Sequence, residues 1–347
     1  MNRFAAYGGA RLADPSKWVP FYLGFLITIS YLLLRCALDC IFLFTIGFPF
    51  DYQPLWLDIN WWTEIVNAIL IGYIPASLVV ARRGINRDLE QLKSRLRQKD
   101  TSFEAIFALK NRPAQSMGQA FRLAGLLGGF FLVFTDSTSY LGTERALTNP
   151  GFVWSLIRLP LFVWLICTLI VSDLNATRTY WKLGRHQVDV DLLDIQSLQS
   201  FTSRGLRSAL TWILFSIIFS LFWLGDSASE QNVLLLIVML TMATAAFALP
   251  LIGVHQEIKS VKVTELDRLR NEIRTERSVV IDQPSTENIS NPRLANLISY
   301  YHFIEQVREW PIDAANLLRF FLYLIIGLGS WLGGAVVERM LDSTLGS

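Results

Sequence analysis

The chain has 347 residues, 52% of them hydrophobic and 17% charged, with a formal net charge of +2 and a mean hydropathy of +0.38. So little polar material cannot coat a water-soluble globule of this size, so much of the apolar surface must face lipid. The basic residues are spread over several segments without zinc-finger spacing, an RNA-binding signature or an aromatic-basic strand pattern, which excludes a dedicated nucleic-acid binder.

Seven apolar stretches follow one another, at 19–50, 62–81, 120–141, 152–171, 206–224, 233–254 and 314–337. Most reach the ~20 residues that carry a helix across a hydrocarbon core. The predicted fold is all-α: a polytopic transmembrane bundle of about seven spans with helical cytoplasmic extensions. Residues 1–17 are short and weakly basic, and the apolar run after them is far longer than the core of a cleavable leader. The first span therefore reads as a retained signal anchor.

Lys and Arg fall in alternate gaps. The segments 1–18, 82–119, 172–205 and 255–313, with Arg122 and Arg207 at the adjoining span mouths, hold 26 of the 31 basic residues. Basic residues in short loops set orientation, which predicts N-in and C-out. The chain divides accordingly into 1–81 with two spans, 82–119 inside, 120–171 with two spans, 172–205 inside, 206–254 with two spans, 255–313 inside, and 314–347 with the last span and an outer tail. A multi-pass protein of a bacterial inner membrane, touching anionic inner-leaflet lipid and able to form homo-oligomers, is the corresponding expectation. Eight acidic residues, among them Asp51, Asp58, Glu64 and Glu144, fall on the outer side beside Tyr52, Trp56, Trp61 and Trp62. They read as an aromatic, acidic rim that anchors rings at headgroup level or attracts cations.

Two inner segments read as helices continuing out of the membrane. Ile85, Leu89, Leu92 and Leu96 form a short seam of coiled-coil type, and 257–277 alternates charge around Leu266, Leu269 and Ile273. Pairing of these two stalks, or a solvated face on each, are the two readings. The stretch VVIDQPSTENISNP is a loop, after which Leu294, Leu297, Ile298, Tyr301, Ile304 and Val307 share one helical face up to Pro311.

Charge inside an apolar stretch costs about 2.5–3.5 kcal/mol on insertion scales and needs a partner or water. Arg35, Asp39, Asp136 and Arg158 qualify. Arg35 and Asp39 lie four apart and are set to pair on one helix. Asp136 opens the polar run Asp136, Ser137, Thr138, Ser139, Tyr140, which either lines a water-filled cavity or pairs with Arg158 on the next span. Gly125 and Gly129, like Gly329 and Gly333, lie four apart and form small-residue strips for close helix packing. Cys36, Cys40 and Cys167 read as small core residues. His186, Asp189, Asp191 and Asp194 cluster in HQVDVDLLD without the order of a calcium loop. No nucleophile, phosphate-loop or zinc-hydrolase motif occurs, so no catalytic residue, metal or cofactor is assigned.

Two functional readings follow: an ion channel or transporter, from the intramembrane charge, and a membrane-embedded signalling or scaffold protein that recruits a partner through its inner helices. The seven-span layout, with a long inner helical segment before the last span, resembles that of insect chemoreceptor-type channels at the level of topology alone.

Overall fold

A computed structural model of the chain describes residues 18–45, 61–92, 113–136, 149–186, 188, 190–223, 230–282 and 292–345. These form eight helices: α1 (Val19–Thr45), α2 (Trp61–Leu92), α3 (Pro113–Asp136), α4 (Pro150–His186), α5 (Gln199–Ser220), α6 (Glu230–Asp282), α7 (Pro292–Gln306) and α8 (Ala314–Leu345). Five helices carry segments long and apolar enough to cross a membrane, Val19–Thr45, Trp61–Asp88, Met117–Thr135, Pro150–Arg185 and Ile237–Ser278, and a shorter apolar helix covers Ala314–Gly329. The molecule is an all-helical, membrane-embedded bundle.

α5 departs most from the expected pattern. The fifth apolar stretch begins at 206, yet the helix starts about two turns earlier, at Gln199, and closes in a 3-10 turn over Leu221–Trp223. Its serines, threonines and arginines dilute its hydropathy because it faces protein. It packs against α2, α6 and α8 and buries Phe201, Trp212, Ile213 and Phe215. Ser216 and Thr211 donate to the carbonyls of Trp212 and Arg207, which lets hydroxyls sit in an apolar bundle. At its far end the Trp62 indole donates to the Leu221 carbonyl at 2.8 Å, capping a group that the helix leaves open. Trp62 is thus a helix fastener, where the sequence suggested a headgroup anchor.

Glycines set how closely the helices cross. A Cβ on Gly205 would stand 2.7 Å from the Phe247 carbonyl, which explains the tight α5–α6 crossing. Gly24 and Gly72 face each other where α1 meets α2, with Ala76 3.1 Å from a Cβ on Gly24. α1 and α3 are peripheral: Phe21, Phe25, Leu33 and Phe131 turn outward as lipid-facing surface.

Two apolar clusters fill the interior. One joins Tyr31, Leu70, Ile74, Trp154, Leu165, Trp212 and Ala243, and the other joins Leu92, Tyr180, Leu198, Phe201, Leu251, Leu269, Ile304 and Phe320. Leu92 and its partly buried neighbour Ile85 therefore belong to the core of this chain, and no intermolecular seam is needed to cover them. The side chain of Leu89, and Leu96 altogether, lie outside the described residues. α7 folds back on α6, with Arg270 donating to the Tyr301 hydroxyl at 3.0 Å and Arg293 meeting Glu276 at 3.2 Å. Burial, with the Glu265 carboxylate close by, raises the Tyr300 phenol above its ordinary pKa.

Candidate functional site

Ionisable side chains converge at two levels of the bundle. The first network joins α1, α2 and α4 around Glu64, which lies in the first turn of α2, where the helix dipole favours a carboxylate. Arg158 donates to its Oε1 at 2.8 Å, while the Tyr31 hydroxyl and the Trp154 indole donate to Oε2 at 3.0 and 3.2 Å. Trp154 and Arg158 are one helical turn apart, so a single face of α4 grips both oxygens. The Tyr31 and Trp154 rings pack at 4.9 Å, and the Arg35 guanidinium lies 5.5 Å from the Trp154 ring centre. Arg35 pairs with Asp39 at 2.5 Å, with both side chains buried.

The second network joins α2, α4 and α5. Arg204, Ser208 and Trp212 repeat at a four-residue spacing and form one stripe of α5 aimed at Asp173. Arg204 Nη2 and Ser208 Oγ donate to Oδ1 at 2.7 and 2.5 Å, and Trp212 Nε1 donates to Oδ2 at 3.0 Å. Beside them Asp88 of α2 accepts from the Tyr180 hydroxyl at 3.0 Å and from Arg207. The Arg204 guanidinium lies 6.0 Å from the Tyr180 ring centre, linking the two carboxylates' environments.

Each network sets two arginines against two carboxylates, Arg35 and Arg158 with Asp39 and Glu64, then Arg204 and Arg207 with Asp88 and Asp173. Neutral pairing, with both oxygens of Glu64 and of Asp173 hydrogen-bonded, is what permits ions to remain in a low-dielectric interior. On α4 the levels are separated by the fifteen residues from Arg158 to Asp173, about 22 Å of helix. Leu161, Phe162, Leu165, Ile166, Leu169 and Ile170 of this stretch pack into the apolar core between the networks.

Comparison with known proteins finds no family that matches the chain. No curated protein and no solved structure matches it either. The topological likeness to insect chemoreceptor-type channels therefore gains no support from a solved structure.

Of the residues singled out in the sequence, Arg35 and Asp39 meet each other, and Arg158 meets Glu64. Glu64, which the sequence places in the outer acidic rim, is buried, because Arg158, Tyr31 and Trp154 close over it. The side chain of Asp136, and Ser137 and Thr138 altogether, lie outside the described residues. Gly125 and Gly129 face α4: a Cβ on Gly125 would be 2.5 Å from the Cys167 sulfur, and one on Gly129 would press on the Pro160 backbone, 3.0 Å from the Leu159 carbonyl. Gly128 faces open space, as does Gly329. The surroundings of Gly333 lie outside the described residues. Cys40 is exposed, which corrects its reading as a core residue, since α1 turns that side away from the bundle. Asp191 accepts from the Leu193 backbone at 2.9 Å in a local turn, and among the described residues no three metal-ligating side chains gather. The side chains of His186 and Asp189 lie outside the description.

The second network is hidden in the sequence because Asp173 and Arg204 fall in the segment 172–205, which reads as an inner loop. The signal was present: arginine, serine and tryptophan at 204, 208 and 212 share a helical stripe. Asp173 and Tyr180, seven apart, share another on α4.

Proposed function

We propose that the chain is a transporter-like bundle, N-terminus inside, that moves an ion or small polar solute by opening its two charge networks in alternation. The observation that supports this reading is the pair of charge-balanced networks about 22 Å apart on α4, each crossing to α2. Ion pairs separate as a unit when helices part, and each network ties α4 to α2 while a different third helix completes it: α1 at one level and α5 at the other. Parting at one level leaves the other closed. Between them lie buried polar groups, Asn67, Ser77 and Ser216, on α2 and α5.

The test is reconstitution into proteoliposomes. Uptake of protons, alkali cations, halides and amino acids is measured by fluorescence and isotope, beside single-channel recording and oligomeric mass. Flux of one class, reduced in Asp88→Asn and Glu64→Gln variants that remain folded, supports the reading. Absence of flux in every class overturns it.

A second reading, recruitment of a cytoplasmic partner, is favoured by α6, which continues as one helix to Asp282 with Lys259, Asp267, Arg268 and Asn271 exposed along it. Charge reversal at Lys259 and Arg268 leaves flux unchanged under the transporter reading.

A further inference from the structure

A cleft of about 680 Å³ opens between the turn leading into α5 and the strap leading into α8. Leu192, Leu193, Ile195 and Pro311 supply apolar lining, and Asp194, Arg308, Trp310 and Asp313 supply polar and aromatic lining. The volume falls within the range of about 300–1,000 Å³ typical of small-ligand sites.

The strap is fixed at several points, so the cleft is a built feature. The Thr202 hydroxyl of α5 donates to the Pro311 carbonyl at 2.5 Å. Lys262 of α6 donates to the Val307 carbonyl at 2.9 Å and lies 3.6 Å from Glu309. His255 Nδ1 sits 3.1 Å from the Glu309 carbonyl, which can only accept, so this nitrogen carries the proton. The His255 ring stacks on Trp310 at 4.0 Å.

Both lining segments run directly into helices whose apolar residues begin within two turns, and with those helices set in the membrane the cleft mouth stands at the height of lipid headgroups. Leu193 and Trp310 remain 64% and 45% exposed there, the pairing of a long aliphatic and an indole that suits the boundary between acyl chains and water. By the charge alternation of the sequence, this is the inner boundary.

We propose that the cleft holds the headgroup of a phosphoethanolamine lipid. Arg308 is an exposed guanidinium suited to a phosphodiester. Asp313 is an exposed carboxylate suited to a primary ammonium, which has three protons to donate, and the open part of the Trp310 ring offers the same cation a π-face. One arginine against Asp194 and Asp313 disfavours a purely anionic headgroup. A choline head has no proton for the carboxylate. The acyl chains leave over Leu193.

The experiment is native mass spectrometry of full-length protein extracted from vesicles of equal phosphatidylethanolamine, phosphatidylglycerol and phosphatidylcholine. Retained phosphatidylethanolamine should exceed each of the others about tenfold, and Arg308→Ala and Asp313→Asn should each abolish most of that excess. Both side chains are exposed, and size-exclusion elution with circular dichroism verifies that the variants fold. Equal retention of the three lipids, or an excess that survives both substitutions, overturns the proposal. Displacement by equimolar soluble glycerophosphoethanolamine overturns the lipid source in favour of a soluble ligand with the same head.

Discussion

Arg158 and Glu64 meet at 2.8 Å across ninety-four residues of sequence, and this contact pins α4 to the start of α2. Both side chains are largely withdrawn from solvent, so removing either leaves an ion without its counter-charge. Glu64→Ala and Arg158→Ala should each destabilise the protein by about 3–5 kcal/mol, and the double variant should lose less than their sum. Thermal unfolding in detergent of all four proteins measures the coupling. Strict additivity would show that the pair contributes nothing as a pair.

Asp173 offers a graded series on one acceptor. Asp173→Ala strands the buried Arg204 and should rank as the most damaging change in the second network. Ser208→Ala removes one neutral donor and should cost about 1 kcal/mol. Trp212→Phe keeps most of the ring and loses the indole N–H. The predicted order of melting temperatures is wild type, then Ser208→Ala and Trp212→Phe, then Asp173→Ala, and a reversed order would show that Asp173 is not the centre of this network.

Adjacent glycines on α3 should respond oppositely to the same change. Gly129 lies on the backbone of Pro160, whereas Gly128 faces open space. Gly129→Val should therefore detach α3 from α4, and Gly128→Val should leave the hairpin intact. Trypsin sensitivity and yield of folded protein report the difference. Equal behaviour of the two variants would disprove the packing described for this helix pair.

Much of this architecture is written in the chain's periodicities. Long apolar runs specify the helices, and the four-residue spacing of Gly125 and Gly129 marks the face that meets α4. What the sequence conceals is how partners are chosen across helices. Arg158 had two acids within reach of its depth, Asp136 on the neighbouring hairpin arm and Glu64 on a non-adjacent helix, and one-dimensional spacing ranks the nearer one first. Arg158 meets Glu64 because α2 packs against both α1 and α4, an arrangement no local pattern encodes. Isolated glycines such as Gly205 and Gly72 were similarly silent, since their use depends on which helix crosses them.

Orientation is open to direct measurement. A reporter active only in the cytoplasm should function when fused to chains truncated after Arg185 or Arg277, and should fail when fused after Ser347. Activity at Ser347 would refute the N-in, C-out arrangement and require an even number of crossings.

α6 runs for 53 residues without interruption and contains Pro250. Proline removes one backbone hydrogen bond and makes its position the natural pivot of a helix. From Pro250 to Asp282 is about 48 Å of helix, so each degree of bending at the pivot sweeps the tip through about 0.8 Å. A reorientation of about ten degrees in the core would reach the far end as a displacement near 8 Å, comparable with the width of a helix. The rod is geared: adjustments too small to alter the packing of side chains around Ala243 and Phe247 become, at its distal end, movements that another molecule can feel.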